Sequence, residues 1–78
     1  KKENLTIYPN PVKDILNLKN DSEISKISVY SLDGKLIRDK KVSSKETTIN
    51  LSGISAGSYI GIIESTNGKK QTVKLIKK

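Results

Sequence analysis

A chain of 78 residues makes one small domain, which buries only about 60–65% of the surface its unfolded form exposes. It has neither cysteine nor histidine, which removes disulfides, thiolate metal sites, the commonest metal ligand and the usual general base at neutral pH. The formal net charge of +7 comes from 15 basic and 8 acidic residues, and it reads either as a soluble lysine-rich surface or as a polyanion footprint.

Fourteen of the cations are Lys, and only Arg38 is Arg, the better bidentate reader of phosphates and bases. The apolar set holds eleven Ile, seven Leu, four Val, three Tyr and one Ala, with no Phe, Trp or Met. β-Branched side chains suit a pleated, half-buried surface, and the scarcity of Ala argues against helices. No apolar run approaches the roughly 20 residues of a membrane-spanning helix, and no stretch reads as a signal peptide. The abrupt start at Lys1-Lys2-Glu3 suggests a piece of a longer protein.

In chain order, short β-rich runs cover Leu5–Tyr8, Ile15–Lys19, Ser25–Ser31, Lys35–Val42, Thr47–Leu51, Ser58–Ser65 and Lys70–Lys77. Turn chemistry separates them at Pro9-Asn10-Pro11, Asn20-Asp21-Ser22, Asp33-Gly34, Ser43-Ser44-Lys45, Ser52-Gly53 and Asn67-Gly68. About seven antiparallel strands in this length predict an all-β fold, a compact two-sheet sandwich of immunoglobulin-like type. A small open barrel is the competing arrangement.

The first break has the most to say. Pro9 and Pro11 have no N–H to donate, and they push Tyr8 and Asn10 into extended geometry. No ladder continues through them, and Asn10-Pro11-Val12-Lys13 fits a type I turn. The segment therefore reads as a rigid corner inside one domain, ending one strand and aiming the next.

Two hairpins allow register to be tested. At Asp33-Gly34 a three-residue loop, with Gly34 left-handed, sets Tyr30 against Leu36 and Val29 against Ile37. At Asn67-Gly68 a two-residue loop sets Ile62 against Val73, Ile60 against Leu75 and Tyr59 against Ile76. The last hairpin then carries Ile60, Ile62, Val73 and Leu75 on one face and an apolar strip of Tyr59, Ile63 and Ile76 on the other. That second face is either covered by loops or offered to a partner.

Catalysis has little to work with. The acidic residues are scattered, Ser43, Ser44, Ser52, Ser55 and Ser58 have no histidine to activate them, and no phosphate or calcium loop is present. No catalytic, metal or cofactor site is expected. Nucleic-acid binding is not expected either, because Tyr8, Tyr30 and Tyr59 stand on three separate strands rather than on one stacking platform.

Four blocks together resemble a known family. Tyr8-Pro9-Asn10-Pro11 with Lys13-Asp14 and the Leu16/Leu18 alternation looks like the opening of the C-terminal sorting domain of the type IX secretion system. Ile27-Ser28-Val29-Tyr30-Ser31-Leu32-Asp33-Gly34-Lys35-Leu36-Ile37 resembles its second block, and Leu51-Ser52-Gly53-Ile54-Ser55-Ala56-Gly57-Ser58-Tyr59 its third. The ending Lys74-Leu75-Ile76-Lys77-Lys78 resembles its terminal block. Ser31 departs from a frequent Asp. Gly61 departs from a branched aliphatic, which leaves a gap beside Tyr59 or room for its ring to lie across the backbone.

The resemblance implies a non-catalytic signal domain over 5–78, with 1–4 as the end of a linker from an upstream cargo. Such domains direct cargo across the outer membrane of Bacteroidota and are usually cleaved afterwards. The implied partners are the translocon and outer-membrane shuttle proteins and a sortase-like protease. The implied compartments are the periplasm in transit, then the medium or cell surface of a Gram-negative bacterium. The implied recognition residues are Pro9, Asn10, Pro11, Gly34, Gly57, Tyr59, Lys74, Leu75, Ile76, Lys77 and Lys78. An immunoglobulin-like spacer or carbohydrate-binding accessory module of a secreted enzyme is the alternative.

Overall fold

The structure, a computed structural model, describes residues 4–78. Of the expected linker end, only Asn4 lies among the described residues, and its backbone N–H donates to the Asp21 carboxylate (3.0 Å). The described chain is all β, with five strands in order: β1 (Leu5–Tyr8), β2 (Ile15–Ser31), β3 (Leu36–Asn50), β4 (Gly57–Ser65) and β5 (Lys70–Lys77).

Seven expected strands become five because two of the predicted breaks are bends. Asn20-Asp21-Ser22 lies inside the 17-residue β2, and Ser43-Ser44-Lys45 lies inside the 15-residue β3. The β2–β3 register slips there, from Lys19↔Glu46 to Ile24↔Ser44 and then to Lys26↔Lys41. Extra residues in one strand of a pair bend it and sharpen its twist. Each long strand thus leaves one layer and enters the other without a chain reversal.

The start of β2 pairs with β1 on one side and with the end of β3 on the other. Its later half lies between the start of β3 and β4, with β5 outside β4. A three-stranded half and a four-stranded half result. One apolar cluster joins their inward faces: Val12, Leu16, Leu18, Ile49 and Leu51 meet Ile24, Ile27, Val29, Tyr59, Ile63 and Leu75. The sandwich expectation holds.

The two hairpins turn the same way. Gly34 N–H bonds to Ser31 O (3.0 Å) and Ser31 N–H to Lys35 O (2.8 Å); Gly68 N–H bonds to Ser65 O (2.9 Å) and Ser65 N–H to Lys69 O (2.8 Å). Both glycines sit in the left-handed region, at φ +90° and +89°. Only glycine enters that region freely, which is what the third position of this turn requires. The three-residue loop expected at Gly34 is present and sets Tyr30 against Leu36, but a further slip at Ile37 sets Val29 against Arg38.

At Asn67-Gly68 the two-residue loop is wrong by one residue. Tyr59 pairs with Leu75, Ile60 with Lys74 and Ile62 with Thr72. A one-residue slip exchanges the faces of a strand. Tyr59 and Ile63 therefore belong to the core.

The exposed side of the four-stranded half carries a different apolar strip. Row by row it sets Leu36 beside Tyr30, Ile60 and Lys74. Tyr30, Ile60, Ile62 and Ile76 are half-buried, and Leu36 is exposed.

Candidate functional site

The four sequence blocks converge on one end of the four-stranded half. Gly57 pairs with Lys77 and Tyr59 with Leu75, so the third block lies along one side of the tail strand. Tyr59 also faces Ser31 across to β2, which places the Gly34 turn at the same end, two strands from β5.

The first block occupies the other side of the tail. Asn10 Nδ2–H donates to Lys74 O (3.1 Å), and Ile76 N–H donates to Asn10 Oδ1 (3.1 Å). The carboxamide offers one acceptor and one donor, as a peptide group does, and it uses both on β5. Val12 continues the pairing in a parallel bridge. Its N–H bonds to Ile76 O (2.7 Å), and its carbonyl accepts from Lys78 N–H (2.8 Å).

The type I turn expected at Asn10–Lys13 is thus replaced by long-range pairing. The corner does end β1 and aim β2, and it also closes the outer edge of the last strand. Val12, which the sequence motifs did not single out, is fully buried. Its signal in the sequence is a lone apolar residue between Pro11 and Lys13, where a purely local turn needs none.

The remaining blocks are tied in by the main chain. Leu51 N–H donates to Asp14 O (2.7 Å), joining the third block to the first. Arg38 donates from Nη2 to Ser52 O (3.2 Å) and from Nη1 to Ile37 O (3.0 Å). Lys40 Nζ reaches Thr48 O (2.7 Å). These inward-leaning cations on β3 occupy carbonyls along the open side of the sandwich, one way an edge strand is kept from pairing with another chain.

Tyr59 is buried, and its hydroxyl donates to Ser55 O (2.6 Å), which fixes the loop before β4. Gly57 starts β4 at φ +149°, with open space where a Cβ would stand. Gly61 leaves no gap. A Cβ there would lie 3.0 Å from Val73 Cγ2 and 3.2 Å from Leu75 Cδ1, so two aliphatic side chains, not the Tyr59 ring, fill the space.

Of the expected recognition residues, Pro9, Asn10, Pro11, Gly34, Gly57, Lys74 and Lys78 are exposed, and Ile76 is half-buried. Tyr59, Leu75 and Lys77 are buried. Lys77 is the correction. It points inward from β5, and its Nζ donates to Lys78 O (3.1 Å), so the terminal lysines do not form one exposed pair.

Among the described residues no group of His, Cys, Asp and Glu could hold a metal ion. Among the described residues, the displaced titration belongs to the exposed Asp33. The Ser31 hydroxyl donating to its carboxylate holds it below its ordinary pKa, with smaller help from backbone N–H groups and from Lys35.

The family model described as the secretion system C-terminal sorting domain matches residues 6–78. Among curated proteins, none matches. Among solved structures, the chain resembles a DUF3244 family protein with an immunoglobulin-like β-sandwich fold from Bacteroides vulgatus ATCC 8482. The TM-score is 0.73 at 20% identity, covering 96% of this chain and 95% of that one. It also resembles CopC from Methylosinus trichosporium OB3b, with a TM-score of 0.54 at 17% identity, covering 95% of this chain and 91% of that one. At these identities both likenesses concern the fold alone.

Proposed function

The chain belongs to the C-terminal sorting domains of the type IX secretion system, and on that premise we propose that it is the export signal of a longer protein. Residues 5–78 form the signal, and 1–4 lead to the cargo. The domain carries the cargo from the periplasm across the outer membrane to the medium or the cell surface, and a sortase-like protease then removes it. Its partners are the translocon and outer-membrane shuttle proteins. Family members are non-catalytic signal domains, and this one acts by being recognised.

One observation carries the reading. The family's four blocks, spread over the whole sequence, meet at one end of one sheet. Pro9, Asn10, Pro11, Lys74 and Lys78 give that end its exposed surface, Ile76 its half-buried one, and Gly34 and Gly57 its turns. Tyr59, Leu75 and Lys77 shape it from inside. The outer strip of Tyr30, Leu36, Ile60 and Ile62 adjoins it and supplies apolar contact, while Lys74 supplies charge toward an acidic receptor.

The test is a passenger bearing a signal peptide, fused ahead of this domain in a host with the system. The intact fusion reaches the medium or cell surface. Deleting Lys74–Lys78 strands it in the periplasm, and Lys74→Ala with Lys78→Ala slows export while the fold survives. Export that ignores the tail removes the tail from the signal. No export from the intact fusion overturns the sorting reading.

A further inference from the structure

We infer that Asn10 is a latch on the C-terminal strand, and that an acidic receptor of the export machinery reads corner and tail together as one folded surface. The inference rests on the sorting role proposed above.

Three features carry it. First, the residues joined are 64 and 66 apart in sequence: Asn10 to Lys74 O and to Ile76 N–H. A linear reader of the tail has no use for them, and a local turn does not need them. Second, the chemistry is specific to asparagine. The partners are one backbone acceptor and one backbone donor, so only a carboxamide in one orientation satisfies both. Asp keeps the acceptor and loses the donor; Gln puts the same group one methylene too far out. The flanking prolines bring no N–H groups of their own to the edge.

Third, the latch decides what the tail displays. With Val12 bonded to Ile76 and Lys78, the last residues are held as a paired strand rather than a frayed end. The pairing turns Lys74 to the outer face and Lys77 into the interior, and leaves Lys78 exposed beside the corner. β5 pairs along one side with β4, and the corner pairs along its other side. The combined surface therefore exists only in a completely folded domain, and a receptor that reads it rejects unfolded cargo tails.

The test follows amide exchange and export in the same fusion. In Asn10→Ala, the Ile76 and Lys78 amides exchange at least tenfold faster while those of Ile27 and Ile63 stay protected, and export falls several-fold. Asn10→Asp retains protection at Ile76 and loses part of the export. Ile49→Val trims the core of the other half and serves as the stability control, with export unchanged. A passenger carrying only residues 70–78 is not exported. Normal export from Asn10→Ala with its tail amides freed, or export driven by residues 70–78 alone, overturns the composite surface. If Asn10→Ala unfolds, the Asp variant and the short-tail fusion decide. Failure of the intact fusion strikes the sorting role itself and is seen separately.

Discussion

At its turn end the β4–β5 hairpin is tied to the rest of the domain through Asn20; at its tail end it is tied through Asn10. Asn20 is 3% exposed at the bend of β2. Its Nδ2 donates to Ser22 O (3.1 Å) and Ser65 Oγ (3.2 Å), and its Oδ1 accepts from Gln71 Nε2 (3.2 Å). Beside it, Thr66 N–H donates to Glu23 O (2.9 Å). Asn10 makes the same kind of bonds at the opposite end, but in solvent and only to main chain. Water can replace the partners of Asn10, whereas Asn20 and its partner Ser65 are buried and its partners Ser22 and Gln71 are half-buried. The turn end is therefore a fixed anchor, whereas the tail end can be opened without unfolding the sheet.

The comparison is broken most directly by removing each asparagine in turn. Asn20→Ala takes this partner from buried Ser65 and half-buried Gln71, and the expected loss is about 2 kcal/mol. Asn10→Ala exposes its partners to water and loses about 1 kcal/mol. Urea denaturation reads both. Equal losses would mean that burial does not distinguish the two ends.

Gly61 lies between the ends, and Gly61→Val tests whether the hairpin behaves as one body. Its new side chain meets Val73 and Leu75 at less than ordinary contact distance. Both neighbours can shift, so the expected cost is about 1–3 kcal/mol of global stability with the fold retained. Amide exchange that accelerates only on the tail side of Gly61 would show two independent halves instead.

How much of this was legible depends on how far apart the cooperating residues are. The corner was readable because a proline without an N–H ends a ladder wherever it stands. The edge pairing of Asn10 was not, because its partners lie at the far end of the chain. Asn20-Asp21-Ser22 announced a change of direction, but turn-forming residues signal a bend and a reversal alike. Asn67-Gly68 favoured the two-residue loop by local chemistry. It lost because Asn67 Oδ1 accepts Lys69 N–H (3.0 Å) and because the longer loop puts Tyr59 inside, where its hydroxyl reaches Ser55. The resemblance named the corner and the tail as one set, without the pairing that joins them. Only the fold separated exposed Lys74 and Lys78 from buried Lys77.

The surface lysines sharpen the contrast between holding the tail and displaying it. Lys74→Ala with Lys78→Ala should change stability by less than about 0.5 kcal/mol, since both side chains are exposed and neither is part of the latch. Thermal melts read this. A loss as large as that of Asn10→Ala would make the lysines part of the fold rather than part of its display.

The smallest effect belongs to the other hairpin, whose turn has the same three-residue geometry but is held by its own residues. There the Ser31 hydroxyl donates to the Asp33 carboxylate, and Ser31 Oγ accepts from Lys35 N–H (3.2 Å). Donation to the ionised carboxylate favours the charged form, so the Asp33 pKa lies below its ordinary value in the folded chain. A carboxyl depressed on folding contributes stability that is present above the unfolded pKa and is lost as pH falls through the folded one. Ser31→Ala should raise the Asp33 pKa toward the ordinary range, as a carboxyl-carbon NMR titration would read. The stability difference between the two proteins should then vanish below the depressed pKa. Because a hydrogen bond is the leading cause and the Lys35 charge the least, raising the salt should change the Asp33 pKa little. A pKa that follows ionic strength and ignores Ser31→Ala would assign the shift to the lysine instead, leaving the turn without the local hold that distinguishes it from the anchored one.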